Sequence, residues 1–182
     1  MLVSSYSVPL GAPAPPFSLP GTDGKTWSLE SFRDRKALVV VFTCNHCPYA
    51  QAWEGRLLDI QRDYGPRGVA LVAINPNDER QYPQDSMAEM VKRAKQKNYN
   101  FPYLRDESQA VARAYGAQVT PHILLFDAER KLRYQGRVDD NHENPGKVKV
   151  RDLRNALDAL LAGRAVPVAE TPAQGCSVKW KN

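Results

Sequence analysis

The chain has 182 residues, 25 Lys and Arg against 20 Asp and Glu, and three cysteines. A single domain of this length buries roughly 70% of its unfolded surface and needs no staple, and an odd, low cysteine count excludes a secreted disulfide framework. The net charge of +5 is interspersed, and the main basic stretch, Lys92-Arg93-Ala94-Lys95-Gln96-Lys97, falls on a predicted helix as a solvated face rather than a nucleic-acid patch.

Residues up to about Pro16 are proline-rich and read as extended, with neither the basic segment nor the apolar core of a signal peptide. Phe17-Ser18-Leu19 and Thr26-Trp27-Ser28-Leu29 flank an Asp23-Gly24 turn and predict a hairpin. Ala37 to Phe42 is a strand apolar on both faces. The next helix opens near Pro48, presents Trp53, Leu57, Ile60 and Tyr64 on one face, and ends at Gly65-Pro66. Val69 to Ile74 is a second buried strand. Ser86 and Glu89 form a capping box before a helix whose apolar face is Met87, Met90, Val91 and Ala94. A short strand at Phe101 to Leu104 and a helix capped by Asp106 and closed by Gly116 follow. Ile123 to Phe126 and Leu132 to Arg137 pair through the turn at Asp127 to Lys131. A last helix carries Leu153, Ala156, Leu157, Leu160 and Leu161, stops at Gly163, and leaves a polar tail. Helices that follow strands until a closing hairpin predict a three-layer α/β/α domain with a mixed central sheet. No apolar run is long enough to cross a bilayer. The expectation is a cytoplasmic protein with no membrane or nucleic-acid partner, and its oligomeric state stays open.

Cys44-Asn45-His46-Cys47 lies between the first central strand and the first long helix. Two cysteines at this spacing bring their sulfurs together within one helical turn, and the free N–H groups of that turn favour a thiolate. Cys44 is expected to be the attacking thiolate and Cys47 the resolving thiol of a thiol–disulfide exchange. His46, when protonated, is expected to favour the Cys44 thiolate and make the couple more oxidising. Thr120-Pro121 heads a strand. A cis proline there, packed against the cysteines, would leave the Thr120 backbone free to pair with an extended substrate. Zinc normally takes four ligands. Cys176, His46 and His122 complete a set with the cysteine pair only on paper, so no metal and no cofactor are expected. Asp139-Asp140-Asn141-His142-Glu143 reads as a polar loop rather than a metal site.

Taken together these elements resemble the thioredoxin superfamily, in its peroxiredoxin-like (AhpC/TSA-type redoxin) branch. The resemblance is carried by Gly11-Ala12-Pro13-Ala14-Pro15-Pro16-Phe17-Ser18-Leu19, Asp23-Gly24-Lys25, Ser28-Leu29, Phe32, Cys44-Asn45-His46-Cys47-Pro48 and Thr120-Pro121. The ending Gly175-Cys176-Ser177-Val178-Lys179-Trp180 is similar to that of a thioredoxin-like subgroup. The resemblance implies a thioredoxin fold over residues 1–182, with 164–182 as a C-terminal tail. It also implies a redox pair at Cys44 and Cys47, a cis proline at Pro121, and an insertion from about Pro76 to Asn100.

Two departures from the pattern bear on chemistry. Peroxiredoxins place a threonine three residues before the peroxidatic cysteine. Here that position holds Val41 when counted from Cys44 and Cys44 itself when counted from Cys47, so the hydroxyl that would orient a peroxide is missing. Thioredoxins carry a buried acid in the strand before the pair, and this strand is wholly apolar. Glu54, on roughly the same helix face as Cys47, is the acid placed to substitute, against the plainer reading of an exposed helix glutamate. Cys176 becomes a third redox thiol if Val178 and Trp180 dock the tail so that it approaches Cys44; otherwise it is an inert or exposed thiol. The expected partners are protein dithiol or disulfide substrates and an external reductant or oxidant. The leading function is a thiol–disulfide oxidoreductase, with a thiol peroxidase, and then a non-enzymatic redox-sensing domain, as alternatives.

Overall fold

A computed structural model describes residues 1–182. Its strands are β1 (Leu2–Val3), β2 (Ser18–Pro20), β3 (Thr26–Ser28), β4 (Ala37–Phe42), β5 (Val69–Asn75), β6 (Tyr103–Arg105), β7 (Val119–Thr120), β8 (His122–Phe126), β9 (Leu132–Gly136), β10 (Ala173–Gln174) and β11 (Cys176–Ser177). The helices are α1 (Pro48–Tyr64), α2 (Met87–Gln96), α3 (Ala110–Ala114) and α4 (Asp152–Leu161).

The central sheet has five strands in the order β6-β5-β4-β8-β9. β4 runs parallel to β5, β5 parallel to β6, and β8 antiparallel to both β4 and β9. The all-apolar sequence of β4 follows from its place at the centre of this sheet. Val39 and Val41 face a core built with Trp53, Leu57 and Ile60 of α1, Met90 of α2 and Leu153 and Leu157 of α4. Leu38, Val40 and Phe42 face the opposite core, with Phe17 and Leu19 of the N-terminal segment, Ala112 of α3, Tyr115 and Val178 of the tail. The predicted hairpin is present, with Leu19 opposite Trp27. This is the three-layer arrangement that the order of elements implies.

Several boundaries have clear physical causes. Pro48 opens α1 at a position whose N–H would be unpaired in any case. The turn after α1 closes on Gly68 at φ 91°, a conformation that favours glycine. Ser86 caps α2 by accepting from the Glu89 amide at 3.3 Å. Of the expected α2 face only Met90 is fully buried, because the helix covers an edge of the sheet rather than its centre. Asp106 caps α3 from a distance, its carboxylate accepting from Ala112 N at 2.8 Å. No helix is long and apolar enough to cross a membrane.

The C-terminal segment is laid across the molecule. β10 pairs with β1, and β11 pairs with β7, both antiparallel. Ala173 and Val178 are buried, as are Val3 and Val119 beneath them.

Candidate active site

β4 ends at Phe42 and α1 starts at Pro48, so Thr43 to Cys47 form the connection at the C-terminal end of the central strand. Cys47 is the N-cap of α1, with extended backbone (φ −71°, ψ 125°). Cys44 and Cys47 are buried free thiols, 4% and 0% exposed, so Cys44 is the one that solvent touches at all. The Thr120–Pro121 bond is cis. Thr120 meets both sulfurs: its Oγ1 is 3.3 Å from Cys44 Sγ, and its carbonyl oxygen is 3.2 Å from Cys47 Sγ, where the protonated Cys47 thiol donates.

The two thiols titrate as a pair, because a shared hydrogen bond makes the first proton easy to lose and the second hard. Cys47 is held well below the usual thiol range by the hydrogen bond from Cys44, despite its burial, and with help from a bond to Cys176. Cys44 is pushed up by giving that bond, by burial and by the negative charge of Asp85. The two thiols thus share one readily lost proton, with Cys47 at the helix N-terminus, where free N–H groups favour negative charge, and Cys44 the more exposed of the two.

His46 stays beside Cys44, a ring nitrogen within 4.8 Å of its sulfur, but its hydrogen bond goes to Asp85. Its Nδ1 donates to Asp85 Oδ2 at 2.5 Å, and its ring stacks on Tyr82 at 5.4 Å. The imidazole expected to favour the Cys44 thiolate therefore has a buried carboxylate as its hydrogen-bond partner. Asp85 is fully buried at the end of a short 3₁₀ turn, Pro83–Asp85, inside the insertion. It accepts from Asn45 N at 2.7 Å, Asn75 Nδ2 at 3.2 Å and Asn77 Nδ2 at 3.0 Å as well. Asn45 is held further by Tyr103, whose hydroxyl donates to Asn45 Oδ1 at 2.8 Å. A buried acid therefore stands near the pair, beside Cys44 rather than in β4.

Cys44, His46 and Asp85 present a sulfur, a nitrogen and an oxygen within 4.8 Å of one another, a set of atoms that could ligate a metal. A carboxylate offers about four lone-pair sites, and four N–H donors already fill those of Asp85. The arrangement fits a hydrogen-bonded acid better than a ligand. His122 is not part of this group. It is buried against Tyr6, with ring centroids 5.2 Å apart, and its Nε2 has no partner.

Two further expectations need correction. Glu54 neither faces Cys47 nor stands free in solvent: it accepts from Arg93 at 2.7 and 3.0 Å and from Tyr99 at 2.5 Å, tying α1 to α2 and the segment after it. The Thr120 backbone is not open to an extended substrate, since Cys176 of β11 is paired opposite it. The docked tail brings Cys176 to the pair itself: it packs against the cluster of Cys44, Cys47 and Ala50, and Cys47 influences its titration. In the polar loop, Asp139 is occupied by Trp53 Nε1 at 2.9 Å and Arg56 Nη1 at 2.7 Å.

Sequence reasoning missed Asp85, Asn75, Asn77 and Tyr103. The available signal was Asn75-Pro76-Asn77-Asp78, a polar run that directly follows an apolar strand. Polar residues where a buried strand ends must find partners, and these find them around Cys44.

The AhpC/TSA family model matches residues 10–135, which span the hairpin, the cysteine pair, the insertion and the cis proline. The chain belongs to the AhpC/TSA family. Among solved structures of similar fold, an uncharacterised conserved protein from Geobacillus kaustophilus is 46% identical, with a TM-score of 0.93 over 100% of this chain and 97% of that one. A hypothetical protein from Sinorhizobium meliloti 1021 is 41% identical, with a TM-score of 0.91 over 98% of each chain. Peroxidoxin BcpB from Mycobacterium tuberculosis, at 17% identity and a TM-score of 0.62 over 84% of this chain and 94% of its own, shares the thioredoxin fold. Among curated proteins none matches the chain. As an AhpC/TSA member the protein is a thioredoxin-like redox protein.

Proposed function

We propose that the protein is a thiol–disulfide oxidoreductase that exchanges a disulfide between Cys44–Cys47 and a thiol substrate. The observation that carries this reading is the packing of both sulfurs against Thr120 at the N-terminus of α1, at 3.3 and 3.2 Å. Cys44 is the entry sulfur, because Cys47 has no exposed surface. As a substrate disulfide approaches, the proton on Cys44 passes to Cys47 along their hydrogen bond. The Cys44 thiolate attacks, a mixed disulfide forms, and one substrate thiolate leaves. Cys47 then attacks Cys44 Sγ, giving its proton to the departing thiol and closing the Cys44–Cys47 disulfide.

The test is reduction of insulin disulfides coupled to an external dithiol. The wild-type protein is expected to turn over, Cys44→Ser to be inactive, and Cys47→Ser to accumulate a mixed disulfide at Cys44. Activity that survives Cys44→Ser rejects the reading.

A thiol peroxidase is the second reading, favoured by the AhpC/TSA family match over residues 10–135. It requires hydrogen peroxide consumption that is lost in Cys44→Ser, the cysteine that solvent touches. The missing threonine hydroxyl weighs against it.

A further inference from the structure

The exchange just described uses two cysteines, and the tail carrying the third lies where a substrate strand would lie. β11 places Cys176 opposite Thr120 and Ser177 opposite Val119. The approach is close: a Cβ on Gly175 would sit 2.1 Å from the Thr120 carbonyl oxygen, so the tail can enter here only with glycine at that position. The tail is fixed on both sides of the cysteine. Gly175 N donates to Met1 O at 3.0 Å, Val178 N to Gln118 O at 3.1 Å, and Asp78 N to Lys179 O at 2.9 Å. Trp180 lies under the Arg113 guanidinium at 4.5 Å. With the tail docked the pair is closed: Cys44 is 4% exposed and Cys47 not at all.

We propose that the tail is the built-in first substrate of the redox pair: Cys176 exchanges with the Cys44–Cys47 disulfide to form a Cys47–Cys176 disulfide within the chain. The proposal rests on the exchange reading given above. The Cys176 thiolate attacks Cys47 Sγ, the Cys44–Cys47 bond breaks, and the electron pair leaves on Cys44. The proton lost by Cys176 ends on Cys44. One disulfide replaces another, so no further oxidant is required. The result returns Cys44 as a free thiol while the oxidising equivalent is stored on the tail.

The electrostatics give this exchange its timing. In the reduced protein the Cys176 thiol is pushed up to about 11, first by burial and then by the hydrogen bond and charge of Cys47, while Lys179 acts in the opposite direction. Once Cys47 is in a disulfide it carries no charge, and its part of the shift disappears. Cys176 is therefore a poor nucleophile while the pair is reduced and a better one once the pair is oxidised. An outside protein strand meets the same Thr120 edge only after the tail has left it.

The test oxidises purified full-length protein with oxidised glutathione, caps free thiols in acid, digests without reductant and weighs the linked peptides. The wild-type chain is expected to give both Cys44–Cys47 and Cys47–Cys176 linkages. Cys44→Ser is expected to give Cys47–Cys176 within one molecule. Gly175→Val, which touches no sulfur, should keep Cys44–Cys47 and lose about tenfold or more of Cys47–Cys176, because the tail's effective concentration at the pair falls. Cys47 and Cys176 both capped as free thiols in Cys44→Ser, or linked only between molecules, would overturn the proposal. So would an undiminished Cys47–Cys176 linkage in Gly175→Val. A wild-type chain that forms Cys44–Cys47 while Cys176 is always capped overturns the tail's role and leaves the exchange reading standing. A chain that forms no Cys44–Cys47 bond at all rejects the exchange reading itself.

Discussion

The Cys44 thiol is raised first by its hydrogen bond to Cys47, then by burial and by the charge of Asp85. Asp85 reaches the cysteines from an insertion some forty positions along the chain, holds the Asn45 amide and the His46 ring, and sets its charge beside Cys44. Its charge raises the Cys44 thiol, which means it stabilises the protonated form. Replacing Asp85 with Asn removes that charge and should shift Cys44 ionisation to lower pH. Measured as alkylation rate against pH in a Cys47→Ser, Cys176→Ser background, the reaction at neutral pH should rise by about tenfold, the equivalent of about 1.4 kcal/mol. A profile that stays in place while thermal stability falls would mean that Asp85 only props up the loop. No sequence pattern marks Asp85, because its role depends on where an insertion folds back. The cysteines, by contrast, were legible from the spacing of Cys44 and Cys47 and their position between an apolar strand and an amphipathic helix.

At the scale of elements, α1 is oriented by two polar anchors. Near one flank Glu54 is held by Arg93 and Tyr99. Near the other, Asp139 takes bonds from Trp53 and Arg56, and Arg56 also reaches the Asn141 carbonyl at 2.5 Å. Asp139 is 4% exposed, so this pair is largely shielded from solvent. Removing one partner of a shielded ion pair leaves the other uncompensated, and Asp139→Ala should cost about 3 kcal/mol in urea unfolding. The emission of Trp53 should change with it, since its indole N–H loses its acceptor. A loss below about 0.5 kcal/mol, the range of ordinary surface substitutions, would reject this role. The α1 stripe of Trp53, Leu57, Ile60 and Tyr64 was readable from its 3.6-residue period. The anchors were not, because each joins residues far apart in sequence.

For the whole molecule, stability should weaken on mild acidification through His122. Burial lowers this imidazole from 6.5 to about 4 in the folded protein. The folded state therefore favours neutral His122. The stabilisation is fully present above pH 6.5 and is lost as pH falls from there toward 4, about 3 kcal/mol in all. Asp106 and Asp152, both raised by burial, act in the opposite sense, but only in the carboxylate range, whereas the lowered Cys47 thiol acts in the same sense as His122 and is removed by working in a Cys47→Ser background. In that background urea midpoints taken from pH 7 to 5 should fall with His122 present and stay level once His122→Phe is added. A parallel decline in both would assign the loss to other groups.

The sequence by itself determined the sheet's apolar strands, the helix faces, the hairpin and the cysteine pair at a helix N-terminus, because each follows from local periodicity, turn chemistry or short spacing. The tertiary structure alone decided what surrounds the sulfurs. Asp85 bound to His46 beside Cys44, Cys176 packed on the cysteine pair and a tail strand on the Thr120 edge all bring together residues from distant parts of the chain. Those contacts arise from the requirement that buried polar groups find partners and exposed strand edges be covered, which only the assembled fold can satisfy.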